Sequence, residues 1–336
     1  MTAAMSDIVL SIVASMYRSE NVIEEFVSRV AVCAQEITGS YEIILVNDGC
    51  PGASLQVALE TARKHDKIKI IDLSRNFGHH PAMMSGLSQA AGKYVYLTNI
   101  DLEERPENLR EIWGAFQNYE QKNGDGKTPV DVVYGKETER KGGFNKRVLG
   151  GSFYALFNWL SDVQLPKGQI VSRVMSRRYV DSLLQFHERD IFMQALWELA
   201  GFTQRPIPLQ REEAREKSTY TIWRRLHLAV RAITSFSSKP LQLIFYAGLL
   251  ISASSALLIL FLVLQRWLWG GLLEGWTSVM VAVFLMGGLI IFSIGIVGIY
   301  LSRMFLEIKG RPTHIIRSVY KSSDDRYPHD ARLEAN

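Results

Sequence analysis

The chain has 336 residues with a formal net charge of +4, and hydrophobic residues make up 47% of it. So small a charge does not indicate a nucleic-acid partner. Cys33 and Cys50 are the only cysteines, which excludes a disulfide framework and a cysteine-based metal site. The length suits one large domain or two smaller ones, and the apolar excess lies after Pro240.

Short apolar runs alternate with amphipathic segments through the first half of the chain. The runs predict strands over 8–13, 41–46, 68–73, 94–97 and 130–134, and the segments predict helices over 22–37, 55–65, 83–91 and 107–119. This alternation predicts an α/β fold with a doubly wound, mainly parallel sheet. Further on, 173–186 and 190–199 are predicted as helices, and 207–209 as an edge segment. The N-terminus lacks a basic n-region, so we expect a first strand and not a signal peptide.

Polar side chains follow three of the predicted strands. Asp48 follows the second strand, Arg75 the third, and Asp101 with Glu103 the fourth. The carboxyl ends of parallel strands meet at one edge of a sheet, where open α/β sheets bind ligands. The sequence therefore predicts a nucleotide site at this edge.

The stretch KYVYLTNIDLEERPE, residues 93–107, carries the strongest acidic signal. Continued alternation would place Asn99, Asp101 and Glu103 on one side and Ile100 and Leu102 on the other. Hard oxygen ligands suit Mg²⁺ or Mn²⁺, which also take substrate phosphates. The alternative interpretation is an acidic start to the following helix.

Two basic segments lie beyond this region. Residues 136–147, KETERKGGFNKR, form a surface loop or, beside a metal site, hold a diphosphate or an anionic lipid headgroup. Residues 221–236 show the pattern of a basic amphipathic helix on a membrane surface. Packing of that helix on the globular domain remains the alternative.

Two uncharged segments, 241–264 and 277–301, each exceed the roughly 20 residues that span a bilayer. Their connection carries three tryptophans, and basic residues flank the pair. The positive-inside rule then predicts a transmembrane hairpin with the catalytic domain and both termini in the cytoplasm. The predicted domains are a catalytic domain over 1–215, a juxtamembrane segment over 216–238, the hairpin over 239–302 and a tail over 303–336.

Several sequence strings, spread over residues 8–320, together resemble the family 2 glycosyltransferases that have a GT-A domain and two C-terminal transmembrane helices. These are the polyisoprenyl-phosphate glycosyltransferases, of which dolichol-phosphate mannose synthase is a familiar member. The strings are Tyr17 with Glu20, VNDG at 46–49, LSRNFGHH at 73–80, NIDLEERPE at 99–107, the basic segment around Arg140, and FSSKPL at 236–241.

The resemblance implies transfer of a sugar from a nucleotide-sugar donor to a polyprenyl phosphate such as undecaprenyl phosphate, with Mg²⁺ or Mn²⁺. It implies a homo-oligomer in the bacterial inner membrane that serves cell-envelope polysaccharide synthesis or lipid modification. It assigns catalysis to Asp101, Glu103 and Arg140, donor binding to Tyr17, Glu20, Asp48, Arg75 and Asn99, phosphate contacts to Arg140, Lys141 and Lys146, and the metal to Asp101 and Glu103.

The chain departs from the family pattern in three places. SMYRS at 15–19 replaces the usual Pro-x-Tyr-Asn-Glu, Asn99 replaces the first Asp of D-x-D, and GQIVS at 168–172 replaces the G-D-F motif. A phosphate acceptor is already an anion and needs positioning more than deprotonation. A sugar hydroxyl would need a base, for which the candidates are Glu103, Glu188 and Asp190. Two alternatives follow: an enzyme that glycosylates a lipid-linked saccharide, and a non-catalytic scaffold that binds nucleotide sugar.

Overall fold

The computed structural model divides the chain into two compact units. The first comprises residues 1–150, 165–219 and 312–336, and the second comprises 151–164 and 220–311. The structure describes residues 7–122, 129–137, 159, 164–188, 191–210, 237, 239–269 and 275–321.

Eight strands and eight helices lie within the described residues. The strands are β1 (Leu10–Met16), β2 (Tyr41–Asn47), β3 (Ile68–Leu73), β4 (Tyr94–Asn99), β5 (Val132–Glu137), β6 (Gln169–Ser176), β7 (Gln204–Leu209) and β8 (Ile316–Lys321). The helices are α1 (Ile23–Ile37), α2 (Ser54–Lys64), α3 (His79–Gln89), α4 (Asn108–Lys122), α5 (Arg177–Leu183), α6 (Met193–Leu199), α7 (Lys239–Trp269) and α8 (Trp276–Ile308).

The eight strands form one sheet in the order β7-β5-β6-β4-β1-β2-β3-β8. Its centre, β4-β1-β2-β3, is parallel throughout. The strand order reverses at β1, with β2 on one side of it and β4 on the other, which is the switch point where open α/β sheets bind ligands. β6 and β8 flank this centre as antiparallel neighbours. The predicted α/β class and mainly parallel sheet are confirmed.

Helices cover both faces of the parallel centre, as a doubly wound sheet requires. One core joins α1, α2 and α4 to side chains such as Ile12 and Leu45. On the other face, α3 packs against β1 and β2. A Cβ at Gly86 of α3 would lie 2.9 Å from Val46 Cγ2, so the glycine permits this close approach.

The part of the sheet outside the parallel centre differs most from the prediction. Residues 173–176, predicted as the start of a helix, belong to β6, and only Arg177–Leu183 is helical. Apolar periodicity cannot separate a buried strand from a buried helix in so short a segment. The tail prediction missed β8, which pairs with the edge of β3. The predicted edge segment at 207–209 is confirmed within β7, the last strand of the sheet.

The second unit contains the two apolar helices α7 and α8. Tyr300 Oη of α8 donates a 2.8 Å hydrogen bond to the Ser237 carbonyl, two residues before α7 begins. The start of α7 and the distal part of α8 therefore lie together, as in a helical hairpin. Among the described residues, Leu285–Ile308 is the one segment long and apolar enough to cross a membrane, and Lys239–Ile251 is a shorter apolar stretch.

Candidate active site

The carboxyl ends of the four central strands are aligned with one another. Met16 lies opposite Asn47 in the β1–β2 pairing, and Ser15 lies opposite Asn99 in the β1–β4 pairing. Asn47 in turn lies opposite Asp72. The residues that follow these strands, which the sequence predicted as site residues, therefore all leave the sheet at one edge.

Asp48 joins the loop after β2 to the loop after β3. Its Oδ1 accepts the Phe77 N–H at 2.7 Å, and its Oδ2 accepts the Gly78 N–H at 2.9 Å. Burial raises the pKa of Asp48, while these two hydrogen bonds and the nearby Arg75 act in the opposite direction. Both carboxylate oxygens of Asp48 are therefore bound to the backbone of residues 77 and 78, and Asp48 stabilises the conformation of the loop that carries Arg75. The Arg75 guanidinium lies 4.0 Å over the Phe77 ring.

A hydrogen-bonded cluster fixes the loop after β1. Ser54, the first residue of α2, donates to Glu20 Oε2 at 2.8 Å and accepts the Ser19 N–H at 2.9 Å. Hydrogen bonds from the backbone and from Ser54 lower the pKa of Glu20 and keep it ionised. Cys50 Sγ lies 3.2 Å from the Arg18 backbone N–H, and Tyr17 remains exposed.

The acidic loop after β4 keeps the predicted alternation of burial although the strand ends at Asn99. Ile100 and Leu102 are 4% and 2% exposed, whereas Asp101 is exposed and Glu103 is partly exposed. Leu102 adopts φ of 60°, so the chain folds back after Asp101. Asp101 Oδ1 accepts the Glu103 N–H at 3.0 Å, which fixes the turn.

The donor set of this loop fits a divalent metal of the Mg²⁺ or Mn²⁺ type. Asp101 and Glu103 offer carboxylate oxygens. The Asn99 side-chain oxygen is buried and lacks a well-formed hydrogen bond, although the amide interacts with the His79 ring. Within the described ranges, no three His, Cys, Asp or Glu side chains are grouped so that they could hold a metal ion together. Such ions are commonly held by one or two carboxylates together with substrate phosphates and water.

His79 was not predicted as a site residue, yet it lies between two strand ends. Its Nδ1 is 2.8 Å from Ser15 Oγ, and its ring interacts with Asn99. Desolvation of the ring and the neighbouring His80 lower the pKa of His79 below its ordinary value, although the residue as a whole is exposed. A neutral imidazole therefore stands beside Asn99 at pH 7.

Glu104 was also missed, because its neighbours Asp101 and Glu103 carried the sequence signal. It is 2% exposed, and Ser172 of β6 donates to it from both its backbone N–H and its hydroxyl. The contact spans 68 residues of sequence, so no local pattern could have revealed it.

Four of the predicted side chains lie outside the described residues: Arg140, Lys141, Lys146 and Asp190. The predicted amphipathic helix over 221–236 also lies outside them. Glu188 is partly exposed and follows α5. Close to it in sequence, the Ile191 carbonyl lies 2.9 Å from His80 Nδ1, which ties this segment to the start of α3.

Comparisons with known sequences agree on one family. Residues 11–160 match glycosyl transferase family 2. A Mycobacterium tuberculosis (strain CDC 1551 / Oshkosh) protein with the provisional designation glycosyltransferase is 40% identical over 93% of this chain and 89% of its own. The uncharacterized glycosyltransferase YkcC of Bacillus subtilis (strain 168) is 30% identical over 96% and 98%. The SfII prophage-derived bactoprenol glucosyl transferase of Shigella flexneri is 28% identical over 94% and 99%.

Solved structures offer only distant likenesses. Residues 1–349 of S. aureus TarS in complex with UDP-GlcNAc give a TM-score of 0.42 at 15% identity, covering 68% of this chain and 66% of that one. Glucosyl-3-phosphoglycerate synthase from Mycobacterium tuberculosis in complex with Mn²⁺, UDP-glucose and phosphoglyceric acid gives 0.41 at 15% identity, covering 68% and 78%. Neither likeness is close enough to bear on the function of this chain.

Proposed function

Because the chain belongs to glycosyl transferase family 2 and is a glycosyltransferase, we propose that it moves a sugar from a nucleoside-diphosphate donor to a polyprenyl phosphate. The observation that carries the proposal is the alignment of the carboxyl ends of four parallel strands, since the loops that carry Glu20, Arg75 and Asp101 all begin at this edge. The name of the Shigella flexneri relative, a bactoprenol glucosyl transferase, supports both the lipid acceptor and glucose as the first sugar to test.

In this proposal the strand-end loops bind and orient the donor. Tyr17, Glu20, Asp48, Arg75 and Asn99 form the donor side, with Asp48 acting through the backbone of 77–78 that it holds. Asp101 and Glu103 would hold Mg²⁺ or Mn²⁺ beside the donor diphosphate. When bound, such an ion stabilises the negative charge of the departing nucleoside diphosphate.

The reaction forms one bond and breaks one bond at the anomeric carbon. An oxygen of the acceptor phosphate attacks that carbon, and the carbon–oxygen bond to the diphosphate breaks with its electron pair leaving on the diphosphate. The acceptor oxygen is an anion at neutral pH, so no side chain needs to remove a proton. Arg140, Lys141 and Lys146 are proposed to attract the acceptor phosphate. Inversion of the anomeric centre is the expected stereochemical outcome.

The membrane arrangement belongs to the same proposal. We propose that the apolar helices α7 and α8 cross the bacterial inner membrane as a hairpin, with the catalytic domain of residues 1–215 and both termini in the cytoplasm. In this proposed arrangement, residues 216–238 would lie along the membrane surface, 239–302 would cross it, and 303–336 would return to the cytoplasm. The proposed product serves cell-envelope polysaccharide or lipid modification, and the proposed assembly is a homo-oligomer.

The first experiment tests Asp101. Membranes containing the full chain are incubated with radiolabelled UDP-glucose, Mn²⁺ and undecaprenyl phosphate. Guanosine and thymidine diphosphate sugars are then tested as donors in the same assay. We expect Asp101→Asn to lower transfer into the lipid extract by about 100-fold or more, because the loop loses the carboxylate charge that would hold the divalent metal beside the diphosphate. Asp66→Asn is the matched control, since Asp66 is an exposed carboxylate just before β3, at the opposite end of the sheet. Equal transfer by the two variants would contradict the role of Asp101.

Product analysis distinguishes the proposed acceptor from the alternative one. A phosphodiester-linked sugar is released from the lipid by mild acid, whereas a glycosidic bond to a lipid-linked saccharide survives the same treatment. A product stable to mild acid would show that the acceptor is a saccharide and not a polyprenyl phosphate. That result would also require a base, for which Glu103 and Glu188 would be tested by substitution.

A further inference from the structure

Glu104 takes four hydrogen bonds although it is a carboxylate buried to 2% exposure. Its Oε1 accepts the Val171 N–H at 3.0 Å and the Asn99 Nδ2 amide at 3.4 Å. Its Oε2 accepts the Ser172 N–H at 2.7 Å and the Ser172 hydroxyl at 2.6 Å. Burying a carboxylate without partners is costly, and these hydrogen bonds offset that cost. The Glu104 side chain therefore has a specific structural role.

The pairing between β4 and β6 shows what the Glu104 carboxylate does in the structure. Their antiparallel ladder runs from Tyr94 opposite Ser176 to Leu97 opposite Arg173. Continued pairing would place Thr98 opposite Ser172 and Asn99 opposite Val171. Instead, the backbone N–H groups of Val171 and Ser172 donate to the Glu104 carboxylate. The side chain therefore replaces a backbone partner where the two strands separate.

This separation lies beside Asp101. Because Glu104 is bound to β6, the chain between Asn99 and Glu104 must fold back, and the left-handed Leu102, with φ of 60°, makes that reversal. The position of Asp101 in the middle of the reversed segment thus depends on the anchor at Glu104. The same carboxylate also holds the Asn99 amide, which is the other polar side chain at this strand end.

We propose that Glu104 is a positioning residue, which fixes the Asp101 loop and the first residues of β6 as one unit. The proposal rests on the function proposed above, because it assigns Glu104 an effect on sugar transfer through Asp101. It does not place Glu104 in contact with donor or acceptor. Its effect on the rate arises from placement, since a displacement of about 1 Å in a catalytic group can cost about 100-fold in rate.

The test compares two buried carboxylates of the same unit. Glu104→Gln replaces one accepting oxygen by an amide that cannot accept the N–H of Val171 or Ser172. Glu42→Gln is the matched control, because Glu42 is 7% exposed and accepts the Ser11 hydroxyl at 2.6 Å and the Ala91 N–H at 2.7 Å. Glu42 lies in β2 near its first residue, at the opposite end of the strands from the acidic loop. Thermal melting of both variants gives the loss of stability that each change causes.

We expect Glu104→Gln to lower kcat for transfer from UDP-glucose in Mn²⁺ by about 10- to 100-fold, with a much smaller change in KM. Glu104→Asp, which keeps the charge, is expected to recover part of that loss. Glu42→Gln is expected to retain kcat within about twofold per folded molecule, whatever its melting temperature. Equal kcat values for the Glu104→Gln and Glu42→Gln variants, after correction for folded protein, would overturn the proposal.

Hydrogen exchange gives a readout that needs no substrate. In Glu104→Gln, peptides covering 99–107 and 168–176 are expected to exchange faster together, while the same peptides in Glu42→Gln match the wild type. Unchanged exchange in both peptides overturns the proposal. If the exchange result is as expected but the wild type transfers no sugar to a polyprenyl phosphate, the anchoring of the loop stands and the proposed function fails.

Discussion

At the scale of single residues, Asp48 and Gly49 bring together two of the loops to which we assign donor binding. The Asp48 carboxylate accepts hydrogen bonds from the backbone N–H groups of Phe77 and Gly78. Gly49 has φ of 53°, and a Cβ there would lie 2.5 Å from the Asn76 backbone nitrogen. The loop after β2 and the loop after β3 therefore touch through backbone, which sets the place of Arg75.

Replacing this glycine should disturb both loops. Gly49→Ala is expected to lower the free energy of unfolding by about 2–4 kcal/mol, because the left-handed conformation and the contact with Asn76 both disfavour a Cβ. Urea unfolding measures the change, and calorimetry with UDP-glucose and Mn²⁺ measures the accompanying loss of donor affinity.

Gly39→Ala provides the control for this prediction. Gly39 lies in the bend before β2, whereas Gly49 follows β2, and a Cβ at Gly39 would meet nothing within 4 Å. Its substitution should change stability by less than about 1 kcal/mol. A similar loss in both variants would mean that the contact between the two loops is not needed.

At the scale of elements, β8 extends the sheet from the far end of the chain. It pairs antiparallel with β3, from Lys321 opposite Lys69 to Ile316 opposite Leu73. Arg317 of β8 donates to the Ser74 carbonyl at 2.6 Å and lies 3.4 Å from Asp72 Oδ2. The strand that follows α8 in sequence thus supports the base of the loop that carries Arg75.

Removing this arginine should loosen β8 from β3. Arg317→Ala is expected to cost about 1 kcal/mol, because the side chain is more than half exposed and solvent weakens its bond to Asp72. Limited proteolysis and hydrogen exchange over 312–321 should both show faster opening. Lys321→Ala is the control from the same strand and should not speed the opening, since Lys321 lies opposite Lys69 and its removal relieves a repulsion between like charges. Equal protection in both variants would show that backbone pairing alone holds β8.

At the scale of the whole molecule, the sheet unit and the apolar unit differ in the side chains that they expose. The exposed side chains of α8 include Ile290, Phe292 and Ile294, each more than half accessible. Exposed apolar surface of this extent on a long helix is suited to lipid. The bond between Tyr300 and the Ser237 carbonyl brings the two ends of the helical pair together.

The proposed hairpin makes a definite topological prediction. In a chain carrying Cys33→Ala and Cys50→Ser, a cysteine at Leu272→Cys should react with a membrane-impermeant maleimide in spheroplasts. Ser323→Cys should react only after the membrane is opened, because both chain ends are proposed to be cytoplasmic. Labelling of both positions, or of neither, before the membrane is opened would rule out two crossings.

Much of the parallel half of the sheet could be predicted because its signals are local. Strands buried on both faces appear as continuous apolar runs, and β3 has the predicted bounds, Ile68–Leu73. The start of α3 was placed four residues too late, since the helix begins at His79 directly after Gly78, whose φ is 102°. The polar residues at the strand ends followed from the order of elements along the chain.

The sequence by itself determined the α/β class, the aligned strand ends with Asp48, Arg75 and Asp101, and the family, because these depend on local periodicity and short strings. Only the tertiary structure decided that Glu104 binds β6, that Asp48 holds the loop after β3, and that β8 joins the sheet. Those contacts link residues 68, 29 and about 250 positions apart. They arise from the order of the strands in the sheet and from the hydrogen-bonding groups that remain unpaired where two strands separate. Neither property can be inferred from a local sequence pattern.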